Sequence, residues 1–346
     1  MSARAACNCV GLTVFLDVLL LLQLPAAAQE LKTVSPADVQ NRIAQVRSST
    51  GNSVDPQALE LGRSLIKSGR FAEAAALFDV LVEKQPRDYT ALYFAALATF
   101  NAGRPSQAEP LARRALDAAV AAHKHSASDA LVLLAVILAV TNKDAEALKA
   151  AQQAVQIVPH SFDAQFVLGR ALYGAGDYDR AVKAFRLAGA LKPTDADTQF
   201  FLATTLERSG DDAAALTAYK ELVVRNPQRV EGHLGVGVLL VKKGGAAIDE
   251  GVRELRAAIA INPRLYEARV TLGRALVSGG LNVEALEHLK VAVELAPNNP
   301  EPHYQLSRAY RRLGRTEEAA REAAIVKQIH ESRRGVPPAR MPQMTN

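Results

Sequence analysis

Histidines flank a lysine in His123-Lys124-His125, the segment that comes nearest to a metal-binding pattern in this chain. A zinc ion needs three or four protein ligands, so two imidazoles around a lysine fall short and read as part of a solvated loop. The acids Asp129, Asp163, Asp197, Glu231, Glu267 and Glu301 recur one structural period apart. They fall at the predicted starts of helices, where a carboxylate complements the helix dipole by about 0.3–1 kcal/mol. That spacing keeps them from converging on a calcium ion. The other histidines are single, and His233 and His303 hold equivalent places in the period, which suits packing better than catalysis. No phosphate-binding loop, nucleophile elbow, zinc-protease helix or dinucleotide fingerprint occurs, and the glycines of Gly232–Gly237 lie in a helical phase with no strand before them. No catalytic residue, metal ligand or cofactor site is expected, and the chain reads as a non-enzyme.

The elements that carry these residues follow from composition and spacing. Of the 346 residues, 49% are apolar; there is no Trp, and aromatics make up 5%. Alanine is the strongest helix former and leaves little bulk between packed helices, so its abundance predicts close helical packing. The net charge of +5 comes without a run of five like charges, so nucleic acid is not expected as a partner. Cys7 and Cys9 are the only cysteines, and their CNC spacing matches neither a zinc knuckle nor a redox pair.

Residues 1–28 have the order of a secretory signal: Arg4, an apolar run from Val10 to Leu24, Pro25, and then Ala26, Ala27 and Ala28. The run is short for a membrane span, which takes about 20 apolar residues, and Asp17 interrupts it. Cleavage after Ala28 and export to a periplasm or the exterior are therefore expected. The alternatives are an uncleaved anchor over residues 10–24, which would be the chain's sole membrane contact, and a buried first helix of a cytosolic protein.

A turn column runs through Gly69, Gly103, Asn142, Gly176, Gly210, Gly244, Gly280 and Gly314, mostly 34 residues apart. Gly and Asn tolerate the left-handed backbone that ends a helix. A small residue follows five positions later, at Ala74, Ala108, Ala147, Ala181, Ala215, Ala285 and Ala319, with the sixth unit delayed to Gly251. Prolines at 86, 159, 193, 227, 263 and 297 close the units. Before each turn stands a Leu–small pair such as Leu168-Gly169 or Leu272-Gly273. Each unit is thus helix, tight turn, helix, stop.

These columns resemble the tetratricopeptide repeat, W-x2-L-G-x2-Y, then A-x3-F, then P. The fourth unit fits best, through Leu168, Gly169, Leu172, Gly176, Tyr178, Ala181, Phe185, Ala188 and Pro193. The resemblance implies an all-α, right-handed α-solenoid of about eight helical hairpins over residues 55–330. It departs from the pattern in having no Trp, and in a second unit that lacks the Leu-Gly pair and the closing proline and carries five extra residues. A linker and capping helix is expected over 29–54, with Ser35 as N-cap and Pro36 at the first helical position. A Pro-rich disordered tail is expected over 331–346.

The resemblance also implies a scaffold that binds a protein or peptide in a groove lined by the first helix of each unit. Helical phasing offers Tyr93, Phe94, Leu97, Val136, Phe166 and Phe201 as an apolar stripe for that groove. Arg170, Arg274, Arg308 and Arg312 offer guanidinium groups for an acidic stretch of the partner. Relatives that clamp a C-terminal carboxylate use asparagines on these helices, which this chain lacks. Two further roles stay open: an assembly or targeting factor for a secretion, pilus or outer-membrane machine, and an accessory subunit of an enzyme complex. Neither the partner's identity nor the oligomeric state is legible.

Overall fold

The computed structural model describes residues 34–49, 55–120 and 124–334. Expectations for the signal segment, Cys7, Cys9, His123 and the chain beyond Arg334 lie outside the described residues. Among the described residues there are seventeen α-helices and no strand. They form two compact units, residues 1–205 and 206–346.

The first unit opens with α1 (Pro36–Ser48), which packs on the second helix of the first hairpin. Ser35 caps it reciprocally: its Oγ accepts from the Asp38 amide at 3.2 Å, and Asp38 Oδ2 accepts from the Ser35 amide at 3.0 Å. The hairpins that follow are α2 (Pro56–Lys67) with α3 (Phe71–Lys84), α4 (Tyr89–Asn101) with α5 (Pro105–Val120), and α6 (Lys124–Val140) with α7 (Asp144–Ile157). Next come α8 (Phe162–Gly174) with α9 (Tyr178–Leu191), and then α10 (Ala196–Arg208), within which the unit ends. The second unit continues with α11 (Asp212–Arg225), α12 (Val230–Lys243) with α13 (Ile248–Ile261), and α14 (Tyr266–Ser278) with α15 (Asn282–Leu295). Its last hairpin is α16 (Pro300–Arg312) with α17 (Thr316–Arg334). Residues 331–334, assigned to the tail from composition, are helical.

Every residue of the turn column has a left-handed backbone, including the one non-glycine, Asn142, at φ 61°. At Gly176 the local reason is visible. Its amide donates to the Tyr173 carbonyl at 3.1 Å and the next amide, of Asp177, reaches back to Leu172 at 3.0 Å, closing the helix end. The alanines of the small column are all buried. The Leu–small pairs have a steric role: a Cβ on Gly169 would stand 2.7–2.9 Å from the Phe185 ring, so glycine lets α8 and α9 close around that ring. The delayed sixth unit holds its extra residues in a short 3-10 turn, Gly245–Ala247, before α13.

The extra residues of the second unit lengthen helices. α5 has 16 residues and α6 has 17, against 13 or 14 in their counterparts α7 and α8. Asp129 therefore lies in the second turn of α6, where the helix-dipole role expected for it does not apply.

In the last five repeats the family's tryptophan position holds a polar side chain that faces the preceding proline carbonyl. Gln165 and Gln199 donate from Nε2 to the carbonyls of Pro159 and Pro193, six residues earlier, at 2.8 and 2.7 Å. Arg269 donates from Nε to Pro263 at 2.6 Å. The Nε2 atoms of His233 and His303 face the carbonyls of Pro227 and Pro297 at 2.9 and 3.1 Å. At these five unit ends the side chain faces the carbonyl of the closing proline.

Candidate functional site

In the first helices, the residues proposed for an open apolar groove are mostly core. Phe166 is fully buried, with ring centroids of Phe162, Phe185 and Phe201 at 5.8, 5.9 and 5.6 Å. Phe201 stacks on Phe185 at 5.7 Å, so three helices share one aromatic cluster. Tyr93, Leu97 and Val136 are buried as well. Without tryptophan, and with glycine or alanine at the helix crossings, these side chains fill the space between neighbouring helices. Phe94 alone of the apolar set is half-buried, stacked on Phe78 at 5.6 Å with the Arg63 guanidinium 4.8 Å from its centroid. The Arg170 guanidinium likewise lies 5.3 Å from the centroid of Phe201. Arg63 and Arg170 hold the same place in their units, each covering a ring of the next first helix.

Several of the positions that remain open on these helices are arginines. In the second unit, Arg274 of α14 and Arg312 of α16 are exposed and Arg308 is half-buried. Tyr304, one turn before Arg308, is 51% exposed, with the Arg308 guanidinium 5.9 Å from its centroid. Arg308 also donates to Gln305 at 3.1 Å, and Arg312 donates to the Val277 carbonyl, tying α16 to α14. Arg315 is paired with Glu318 at 2.6 Å, a bond that raises its pKa. The exposed aromatic beside the Arg308 guanidinium was not anticipated, although the spacing of Tyr304 and Arg308, four residues apart, would have allowed it.

In the first unit, acidic and tyrosine side chains of three successive first helices lie within electrostatic range of one another. Tyr89 and Tyr93 of α4 pack ring against ring at 5.7 Å. Burial pushes the Asp129 carboxyl of α6 above the usual range, and the charge of Asp163 on α8 pushes it further. Asp163 is raised chiefly by its own burial; Lys192 opposes that and Asp195 adds to it. Its Oδ1 is buried and accepts no hydrogen bond among the described residues. Tyr93, 4% exposed, has its hydroxyl pKa pushed well up by burial and by the charges of Asp129, Tyr89 and Asp163. Asp129 and Asp163 thus sense one another across adjacent helices, although the sequence spacing separates them by a full repeat. Among the described residues no group of three metal-ligating side chains occurs.

The sequence model of the tetratricopeptide repeat matches residues 59–117, 110–162, 145–196, 166–230 and 247–300, and a second model of the same repeat matches 280–331. Among curated proteins none matches. A solved structure of MamA is 21% identical, covering 52% of this chain and 98% of its own, with a TM-score of 0.47. YrrB, described as a tetratricopeptide protein with an unusual peptide-binding site, is 20% identical over 54% of this chain and 95% of its own, at 0.47. MamA from Desulfovibrio magneticus is 19% identical over 49% and 96%, at 0.46. With its turn, small-residue and proline columns in phase, and the family's sequence models matched across most of its length, the chain belongs to the tetratricopeptide repeat family.

Proposed function

We propose that this protein is an exported, non-catalytic scaffold that holds a partner protein or peptide against the first helices of its hairpins. Family membership supports a protein or peptide partner. The observation that carries the reading is Tyr304, an aromatic ring left half in water beside the Arg308 guanidinium. A large exposed aromatic flanked by arginine is the composition of binding hot spots, and the arginines favour an acidic stretch of the partner. Tyr304→Ala and Arg274→Ala, both at exposed positions, are expected to melt like the parent while weakening partner capture about tenfold or more. Unchanged capture in both variants contradicts the reading.

Export rests on residues 1–28, whose basic start, apolar run and Pro-Ala-Ala-Ala exit have the order of a signal. N-terminal sequencing of the mature protein is expected to begin at Gln29. A chain beginning at Met1 in the cytosol ends that part of the proposal, and one beginning at Met1 in the membrane selects the anchored alternative.

A further inference from the structure

Three consecutive hairpins of the second unit carry the same strut, and each contains one histidine. The ring of His233 on α12 lies between Glu254 of α13, whose Oε2 is 2.6 Å from Nδ1, and the Pro227 carbonyl, 2.9 Å from Nε2. His303 on α16 repeats this with Glu322 of α17 at 2.5 Å and Pro297 at 3.1 Å. Between them, Arg269 of α14 donates from Nε to the Pro263 carbonyl at 2.6 Å and sets its Nη1 3.2 Å from Nδ1 of His288 on α15. The partner across the hairpin stands nineteen residues after Arg269 and His303, and twenty-one after His233 in the delayed sixth unit. Nineteen residues after Gln165 and Gln199 stand Ala184 and Ala218, so those glutamines hold the proline carbonyl opposite an alanine.

The struts differ in the protons they require. A neutral imidazole has one N–H and one bare nitrogen. Both ring nitrogens of His233 and of His303 face oxygen acceptors, so a neutral ring would aim a lone pair at one of them. An imidazolium donates to both. His288 has the reverse demand, because a guanidinium only donates and Nδ1 must be bare to accept from it. Other charges stand close to each ring. Arg229 and Glu231 pair at 3.5 Å on either side of the start of α12, and Arg333 donates to the Asn298 carbonyl beside Pro297. Glu284 lies 4.0 Å from His288 Nε2 and itself accepts from Arg256 at 2.6 Å, while Glu287 pulls in the same direction as Glu284.

We propose that this row is a proton-set latch: His233 and His303 are imidazolium struts that open on losing a proton, and His288 is a neutral strut that opens on gaining one. All three are closed together only within a window of pH. A proton that the folded state holds more firmly than the unfolded chain stabilises at low pH and ceases to do so as pH rises, whereas the His288 strut weakens as pH falls. Acid thus loosens α14 against α15, and base loosens α12 against α13 and α16 against α17. Tyr304 adjoins His303, so the basic side of the window also frees the start of the helix that carries the exposed ring.

The test is a pH titration of the full chain with its histidines labelled with the heavy nitrogen isotope, followed by long-range proton–nitrogen correlation spectra. His233→Gln, His288→Gln and His303→Gln assign the rings, and the exposed His160 and His330 serve as references. As pH rises, His288 is expected to show a bare Nδ1 while the references are still doubly protonated. His233 and His303 are expected to keep both hydrogens after the references have lost one. Glu254→Gln and Glu322→Gln supply an amide that donates to Nδ1, so each facing ring is expected to lose its second hydrogen no later than the references do. A bare nitrogen on His233 or His303 while the references remain protonated overturns the proposal. So does a His288 that stays doubly protonated as long as they do, or a facing ring that keeps both hydrogens in the glutamine variants. If a glutamine variant fails to fold, the parent's order of deprotonation decides alone.

Discussion

The imidazole of His303 is held from both sides: Nδ1 lies 2.5 Å from Glu322 Oε2, and Nε2 faces the Pro297 carbonyl at 3.1 Å. One ring thereby joins the loop before the last hairpin, the first helix of that hairpin and its second helix. His233 repeats the arrangement with Glu254 and Pro227 two units earlier. Glutamine performs the carbonyl half of this task at Gln165 and Gln199. His303→Gln is therefore expected to destabilise less than His303→Leu, which leaves a carbonyl and a carboxylate without the donor and costs about 1–3 kcal/mol. Chemical denaturation of the two variants checks the order; equal losses contradict it.

Phe166 is placed as core. Phe166→Ala is expected to lower stability by about 3–5 kcal/mol, because the rings of Phe162, Phe185 and Phe201 cannot collapse into its space. A variant with the parent's melt would return Phe166 to the list of binding residues.

His288 gives stability a pH dependence. Burial and the charges of Arg269 and Arg256 hold it below its ordinary value of 6.5, against the opposing pull of Glu284 and Glu287. Its Nδ1 lies 3.2 Å from the Arg269 guanidinium. The folded state binds fewer protons there than the unfolded chain, so stability is present above 6.5 and is lost as pH falls toward the depressed value. His288→Gln lacks this loss. The difference in melting temperature between parent and variant is expected to shift against the parent between about pH 7.5 and about pH 5.5. A constant difference removes His288 from the account.

The period was legible because its signals are local. A left-handed turn selects Gly or Asn and a helix stop selects Pro, and both appear in the residue itself, as at Asn142 and Pro193. The candidate site was less legible. Phase identifies which helix face carries Phe166 and Phe201 but not how deeply the neighbouring helix covers them. The tryptophan column could be seen to be empty of tryptophan, whereas its replacement by a donor to the proline carbonyl depends on a loop folding back over six residues. Asp129 was misplaced because alanine-rich sequence extends α6 beyond the length of its counterparts. Its approach to Asp163 arises from stacking between repeats, which a single-repeat pattern does not record.

Modularity has a direct consequence. Deleting Phe162–Asp195 removes one period and joins Ser161, the N-cap of α8, to Ala196 at the start of α10. Gln199 then occupies the place of Gln165, with Pro159 as its acceptor. The shortened chain is expected to stay helical and melt cooperatively, whereas deleting about half of this segment brings like helices together and unfolds much of its surroundings. Circular dichroism melts compare the two; equal damage contradicts a modular array.

The central claim is that the partner lies on the first helices. A photo-crosslinking residue placed at Tyr304 reports on that face, and the same residue at Val224 of α11 or Val283 of α15, which are 81% and 66% exposed, reports on second helices. Illumination in the native extract is expected to give a discrete adduct from position 304 that is lost with Arg274→Ala, and none from positions 224 and 283. Adducts confined to 224 or 283 would contradict the account.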